Sequence, residues 1–223
     1  VEDLLASTLD VAFVAAASSL EYSERGAGLR AAAERRGVAW RVAPDAELER
    51  LAETDTPQGV LAVARTPRHA LQQVPTDGDP SVLLVVDAVQ DPGNFGTLVR
   101  TAEALGARAV VSLPGTVEAW NPKAVRAAVG SSFRIPIVSA DWAEFAPWLR
   151  EREIAALAAA GDGSPLGAYP PRRAALVVGN EGSGISAESR AHAHAVVAIP
   201  LRGRAESLNV TAATAILLHQ LLR

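Results

Sequence analysis

The chain contains no cysteine and no methionine, and only 4% of its residues are aromatic. Without cysteine there can be no disulfide, no thiolate metal ligand and no cysteine nucleophile. The histidines, His69, His192, His194 and His219, are scattered and never fall at ligand spacing, so no metal is expected. So few aromatic rings argue against a broad stacking platform as the main recognition device. No run approaches the roughly 18 apolar residues that a membrane span requires. No charged-then-apolar signal segment opens the chain either. A cytoplasmic protein without membrane contact is therefore expected. The missing methionine leads to the further expectation that a segment precedes Val1 in the natural protein.

A uniformly basic surface is lacking too, since the formal net charge is −4. That counts against non-specific nucleic-acid coating but leaves room for a local patch. Almost all of the 21 basic residues are Arg, whose planar fork favours bidentate phosphate contacts.

What the chain does have is an apolar content of 49% over 223 residues, enough to bury a sizeable core. A breaker-rich stretch at 67–80, with Pro67, Pro75, Gly78 and Pro80, reads as a linker between a unit at 1–66 and another at 81–223. The first unit reads as small and α/β. Strands are expected at Val11–Ala16, Val38–Val42 and Gly59–Ala64, with helices at Gly28–Arg36 and Glu47–Ala52 and the tail of a helix at Val1–Ser7. The second alternates strands at Val82–Val86, Ala109–Ser112, Ile135–Val138, Ile154–Ala159, Ala174–Val178 and Val196–Ile199 with helices at Phe95–Leu105, Lys123–Val129, Trp142–Arg152, Ala187–Ala191 and Asn209–Leu222. Such alternation predicts an α/β fold built on a mostly parallel sheet covered on both faces.

Three polar, Gly-rich loops follow apolar strands. The first is Asp91-Pro92-Gly93-Asn94-Phe95-Gly96, leading to Arg100. Asn94 can bond a ligand hydroxyl or cap the helix, and Arg100 can act or merely be solvated. The second is Gly179-Asn180-Glu181-Gly182-Ser183-Gly184. It is either a ligand-approach loop or a Gly-rich turn with a capping Glu, and it does not match the dinucleotide fingerprint. The third runs from Ile199-Pro200-Leu201 through Arg202 and Arg204 to Ser207-Leu208-Asn209. Ser207 or Asn209 also suits a helix N-cap, and Leu208 could seat an adenine face. Together the loops predict one composite site at one end of the sheet, for a small cofactor and a polar substrate.

The order and spacing of these three segments, over about residues 82–222, resemble the three motifs of the SpoU/TrmH methyltransferases. That family belongs to the SPOUT class of RNA 2′-O-methyltransferases that use S-adenosyl-L-methionine (AdoMet). The first unit, ending in Thr56-Pro57-Gln58-Gly59-Val60, is similar to the small ribosomal-protein-like RNA-binding domain that many rRNA-modifying members carry. The resemblance implies a Rossmann-like sheet with a C-terminal trefoil knot over about Ala174–Leu222, and a homodimer. It implies cofactor contacts at Gly179, Glu181, Gly182, Ile199, Leu201, Ser207 and Leu208, with the backbone of Leu157–Gly161 bordering the pocket. It places Asn94, Arg100, Glu181, Ser207 and Asn209 in the active site. Arg100 matches a residue often assigned as general base. A guanidinium stays protonated, so orienting the ribose through a phosphate and stabilising the developing alkoxide is physically easier. RNA contacts are expected from Arg30 and Arg41 in the first unit, within a cluster that includes Arg25, Arg35 and Arg36. Arg126, Arg134, Arg202 and Arg204 flank the expected site. For the final helix, Ala212, Ala213, Ile216, Leu217 and Leu221 offer either a dimer face or a cover for the sheet.

Ribosomal RNA is the leading expected substrate. The same reaction on tRNA is an alternative, disfavoured by the additional first unit. A catalytically silent RNA-binding module and, more distantly, a nicotinamide oxidoreductase complete the alternatives.

Overall fold

The computed structural model describes residues 1–52, 54, 56–167 and 170–223. The chain separates into two compact units, Val1–Pro67 and Arg68–Arg223. In the first, helix α1 (Glu2–Ala6) precedes strand β1 (Val11–Ala17), helices α2 (Ser18–Glu21) and α3 (Glu24–Arg35), strand β2 (Ala39–Ala43), helix α4 (Asp45–Leu51) and strand β3 (Val60–Ala64). The sheet order is β2-β1-β3, with β1 parallel to β2 and antiparallel to β3. The apolar run of β1 sits at the centre, where Val14 and Ala16 are fully buried. Ser23 caps α3 by accepting the Gly26 N–H.

The second unit carries β4 (Ser81–Val86), α5 (Pro92–Leu105), β5 (Val110–Ser112), α6 (Pro122–Ala127), β6 (Ile137–Ser139), α7 (Trp142–Glu151), β7 (Ala155–Pro165), β8 (Arg173–Val178), α8 (Ala187–His192), β9 (Ala195–Ala198) and α9 (Val210–Leu221). Its sheet has the order β6-β5-β4-β8-β7-β9, and every pairing is parallel. All six residues of β4 are buried, as expected of a central parallel strand covered on both faces. Val82, Leu84 and Val86 pack with Leu176, Val178, Leu98 and Leu217 on one face. Leu83 and Val85 pack with Val177, Trp142, Phe145 and Trp148 on the other.

In the first unit α2 has no counterpart in the sequence expectation and α3 starts at Glu24 instead of Gly28, and three further departures concern the second unit. The predicted linker contributes to the second core, since Leu71 and Val74 are buried there beside Leu83 and Val85. Strand β7 continues beyond Ala159 to Pro165, pairing with β9 across a register shift between Ala159 and Ser164. Helix α5 starts at Pro92, capped by Asp91 rather than Asn94.

Close approach of α5 and α6 centres on Gly96. A Cβ there would lie 2.2 Å from the Ala124 carbonyl oxygen and 2.9 Å from the Ala128 nitrogen. Beside it, Phe95 is fully buried in the same core. Phe95→Ala is expected to cost about 3–5 kcal/mol, the range for an emptied aromatic site. Urea unfolding followed by tryptophan fluorescence in a Trp40→Phe background reads this, because the other three tryptophans, Trp120, Trp142 and Trp148, lie in the second unit.

Candidate functional site

β4 and β8 are parallel neighbours, and their chain continuations leave for opposite sides of the sheet. Such a switch point opens a crevice at the carboxyl ends of the strands. The loop after β4, the loop after β8 and the loop after β9 all emerge at that end.

The β8 loop is the most tightly built. Asn180 and Gly184 exchange backbone hydrogen bonds of 2.9 and 2.8 Å. The Asn180 Oδ1 accepts the N–H groups of Gly182 and Ser183, while its Nδ2 donates to the Ala88 carbonyl at 3.1 Å. One side chain therefore both folds the second loop and ties it to the first. Asp87, only 3% exposed, adds a second tie by accepting the Ser186 N–H at 2.7 Å. Ser186 in turn caps α8.

In the first loop, the Asp91 Oδ1 accepts the Asn94 N–H at 2.7 Å. That bond, with Lys123 nearby, holds the Asp91 carboxyl below the usual aspartate range. The cap is thus in place above the ordinary aspartate pKa and is lost only as pH falls through the lowered folded value. With the cap supplied by Asp91, the Asn94 amide is free to reach across, and its Nδ2 donates to Glu181 Oε1 at 2.5 Å. This bond joins two motifs 87 residues apart.

Between the β7, β8 and β9 ends and the start of α9 lies a cavity of about 410 Å³. Gly179, Glu181, Ile199, Leu201, Ser207, Leu208 and Asn209 all line it. So do Ala159, Ala160 and Gly161, whereas Leu157 sits in the core. The cavity edge at β7 is steadied by Arg190, which binds Asp162 through two hydrogen bonds of 3.1 and 2.8 Å. Leu201 is 41% exposed and Leu208 39% exposed, so two large apolar side chains face an open site that a bound ligand would cover. Among the described residues the charge lining is one-sided, with Glu181 and Glu206 present and no Lys, Arg or His. Such walls suit a cationic ligand with an apolar ring and oppose a polyphosphate.

The remaining predicted residues fall elsewhere. Gly182 is outside the cavity lining, and its N–H donates to Asn180 Oδ1 inside the turn. Arg100 stands exposed on α5 and has no hydrogen-bond or ion-pair partner among the described residues. Asn209 caps α9 through Oδ1, which accepts the Thr211 N–H at 2.9 Å, so its capping and lining roles coincide. Arg202 and Arg204 are exposed in the β9–α9 loop, and Arg126 is exposed on α6. In the first unit, Arg30 is held by Glu34 and Glu21, which raise its pKa. Arg41 lies over the Phe13 ring at 4.6 Å. Arg36 is employed internally, donating to the carbonyls of Leu4, Leu5 and Leu9. In α9, Leu217 and Leu221 are buried while Ala212 and Ile216 are exposed, so the expected apolar surface divides between core and solvent.

Sequence reasoning gave no role to Asn180, Asp87 or Glu206. Asn180 was within reach, because an Asn side chain at the head of a Gly-rich loop, here Asn180-Glu181-Gly182-Ser183, commonly closes a turn on the N–H two residues on. Asp87 and Glu206 carry no such local mark. Among the described residues, no cluster of His, Asp or Glu could hold a metal. No described helix is long and apolar enough to cross a membrane.

Family models match both units. Residues 81–219 match the SpoU rRNA Methylase family, and residues 1–70 match the RNA 2′-O ribose methyltransferase substrate binding model. The chain is similar to the 23S rRNA (guanosine(2553)-2′-O)-methyltransferase RlmP of Bacillus subtilis, at 40% identity over 76% of this chain and 66% of that protein. It thus spans slightly less than two thirds of that relative. It is also similar to the 23S rRNA (guanosine-2′-O-)-methyltransferase RlmB of Salmonella typhi, at 31% identity over 86% of this chain and 82% of that one. Among solved structures, the SpoU methyltransferase AviRb of Streptomyces viridochromogenes in complex with AdoMet superposes with a TM-score of 0.87. It is 25% identical, over 99% of this chain and 85% of that one.

Proposed function

From the premise that the chain belongs to the SpoU rRNA methylase family, we propose that it transfers a methyl group from AdoMet to a ribose 2′-hydroxyl of ribosomal RNA. The observation that carries this reading is the cavity, with two carboxylates, no basic group and two uncovered leucines. AdoMet bears a net positive charge and an adenine ring, so both the charge and the apolar walls fit it. A nicotinamide dinucleotide shares the adenine, but its pyrophosphate opposes the two carboxylates of the lining. The names of the relatives point to 23S rRNA. The substrate-binding match over residues 1–70 supports a dedicated RNA-binding first unit.

The bound cofactor supplies an electrophilic methyl carbon, and the products are a 2′-O-methyl ribose, a neutral thioether and a proton. The chain's task is alignment, which can supply roughly 7–11 kcal/mol of a barrier. Gly179, Ile199, Leu201, Ser207 and Leu208 would hold the cofactor. Asn94, kept in place by Glu181, would bond the ribose. Arg100, free of protein partners, would grip the phosphate beside the target and stabilise charge developing on the 2′-oxygen. Asn209 would fix the start of α9 against the pocket. Arg126, Arg202 and Arg204, with Arg30 and Arg41 of the first unit, would carry further RNA contacts.

This reading also includes a trefoil knot over about residues 174–222, a cytoplasmic setting and a homodimer. The exposed Ala212 and Ile216 on α9 support the dimer, and sedimentation of the full chain measures it directly. For the activity, mapping 2′-O-methylation across total RNA from cells with and without the gene is decisive. One ribosomal nucleotide should lose its methyl group. Loss confined to a tRNA would move the substrate to the alternative, and an unchanged map would end the proposal.

A further inference from the structure

Glu206 is an exposed carboxylate on the β9–α9 loop and lines the cofactor cavity. It has no hydrogen-bond or ion-pair partner among the described residues, although Arg202 and Arg204 are close in sequence. Glu181, the other cavity carboxylate, is engaged with Asn94. The structure therefore leaves one uncommitted negative charge facing a pocket without a basic group. We propose that Glu206 lets the site distinguish substrate from product by charge, holding AdoMet and releasing S-adenosylhomocysteine. The inference rests on the cofactor reading above and deepens it.

The argument follows from charge balance. When the methyl carbon–sulfur bond breaks, the electron pair returns to sulfur and the sulfonium becomes a neutral thioether. The amino-acid end, an ammonium and a carboxylate, is the same in both ligands. So is the adenosine. To first order the field of Glu206 acts on the net charge, which is +1 before transfer and zero after it. Apolar and hydrogen-bonding contacts retain both ligands alike, so they cannot favour release of the product. A carboxylate with no partner can. An exposed charge acting through water-like dielectric at a few ångströms gives an effect of about three- to ten-fold.

The test compares AdoMet and S-adenosylhomocysteine binding to the full chain by calorimetry, without RNA. Glu206→Gln should weaken AdoMet about three- to ten-fold and leave S-adenosylhomocysteine within about two-fold. Glu206→Asp should keep most of the preference. Glu188→Gln, the same charge change on α8 outside the cavity lining, should leave the ratio unchanged. In the unaltered protein, raising salt should compress the preference as screening grows. Equal weakening of both ligands by Glu206→Gln would mean a contact with the shared ammonium and would overturn the proposal. An unchanged ratio, or a salt-independent preference, would overturn it as well. Failure of the unaltered protein to bind either ligand would instead overturn the cofactor reading itself, and this inference with it.

Discussion

Arg100→Ala is expected to lower methyl transfer at least about 100- to 1,000-fold, the loss typical of removing a group that stabilises developing charge. AdoMet affinity should stay within about two-fold. The separation follows from position. Arg100 lies on α5, outside the cavity lining, and has no hydrogen bond or ion pair to the lining loops among the described residues. Its removal therefore leaves the cofactor walls and the Asn94–Glu181 bond intact. Being exposed and without a partner among the described residues, it also contributes little to stability. Arg100→Lys keeps the charge but loses the planar fork, so activity should recover only in part. Single-turnover rates on an rRNA fragment, set beside calorimetry, separate the two effects. Full turnover in Arg100→Ala would remove the residue from the mechanism. Matched loss of turnover and cofactor affinity would show that it acts through the pocket instead.

Much of this architecture was written in local pattern. Short continuous apolar runs such as Val82–Val86 and Ala174–Val178, bounded by breakers, read as strands buried on both faces, and Gly-rich segments at their ends mark the loops. What pattern could not carry was the choice among neighbours of similar chemistry. Asp91 and Asn94 are both good helix caps, and Pro92 at the first helical position was the clue that favoured Asp91. Because Asp91 caps, Asn94 is free for Glu181, so a three-residue difference in helix start decides an active-site contact. Long-range pairing was equally hidden. The sequence ends a strand at Ala159, yet β9 pairs again with Ser164 and Pro165 beyond a register shift. Leu71 and Val74 sit among breakers, yet the second core buries them. The sequence groups Arg36 with the other arginines of the first unit, but Arg36 is spent on three carbonyls of its own unit.

Within the β8 loop, two neighbouring glycines are expected to respond in opposite ways to the same added methyl group. At Gly179 a Cβ would lie 2.3 Å from the Gly184 carbonyl carbon and oxygen and 2.4 Å from the Ile185 nitrogen. These are backbone atoms, so the loop itself must move. They belong to the Asn180–Gly184 bridge, which sets where Glu181 points and forms one wall of the cavity. Gly179→Ala should therefore break the bridge, detach Glu181 from Asn94 and weaken AdoMet by about 100-fold or more, the consequence of a misplaced binding wall. Turnover should fall with it. The strand core before the loop is untouched, so far-UV circular dichroism should stay close to that of the unaltered protein. At Gly182 the only neighbour of an added Cβ is the Asn180 Oδ1 at 3.5 Å, an ordinary contact. Its backbone does not require a positive φ. Gly182→Ala should thus change AdoMet affinity by no more than about two- to three-fold, as surface substitutions usually do. Sequence alone ranks these two glycines together. If calorimetry found them equally damaging, or Gly179→Ala harmless, the close crossing of the loop on itself would not be what shapes the pocket.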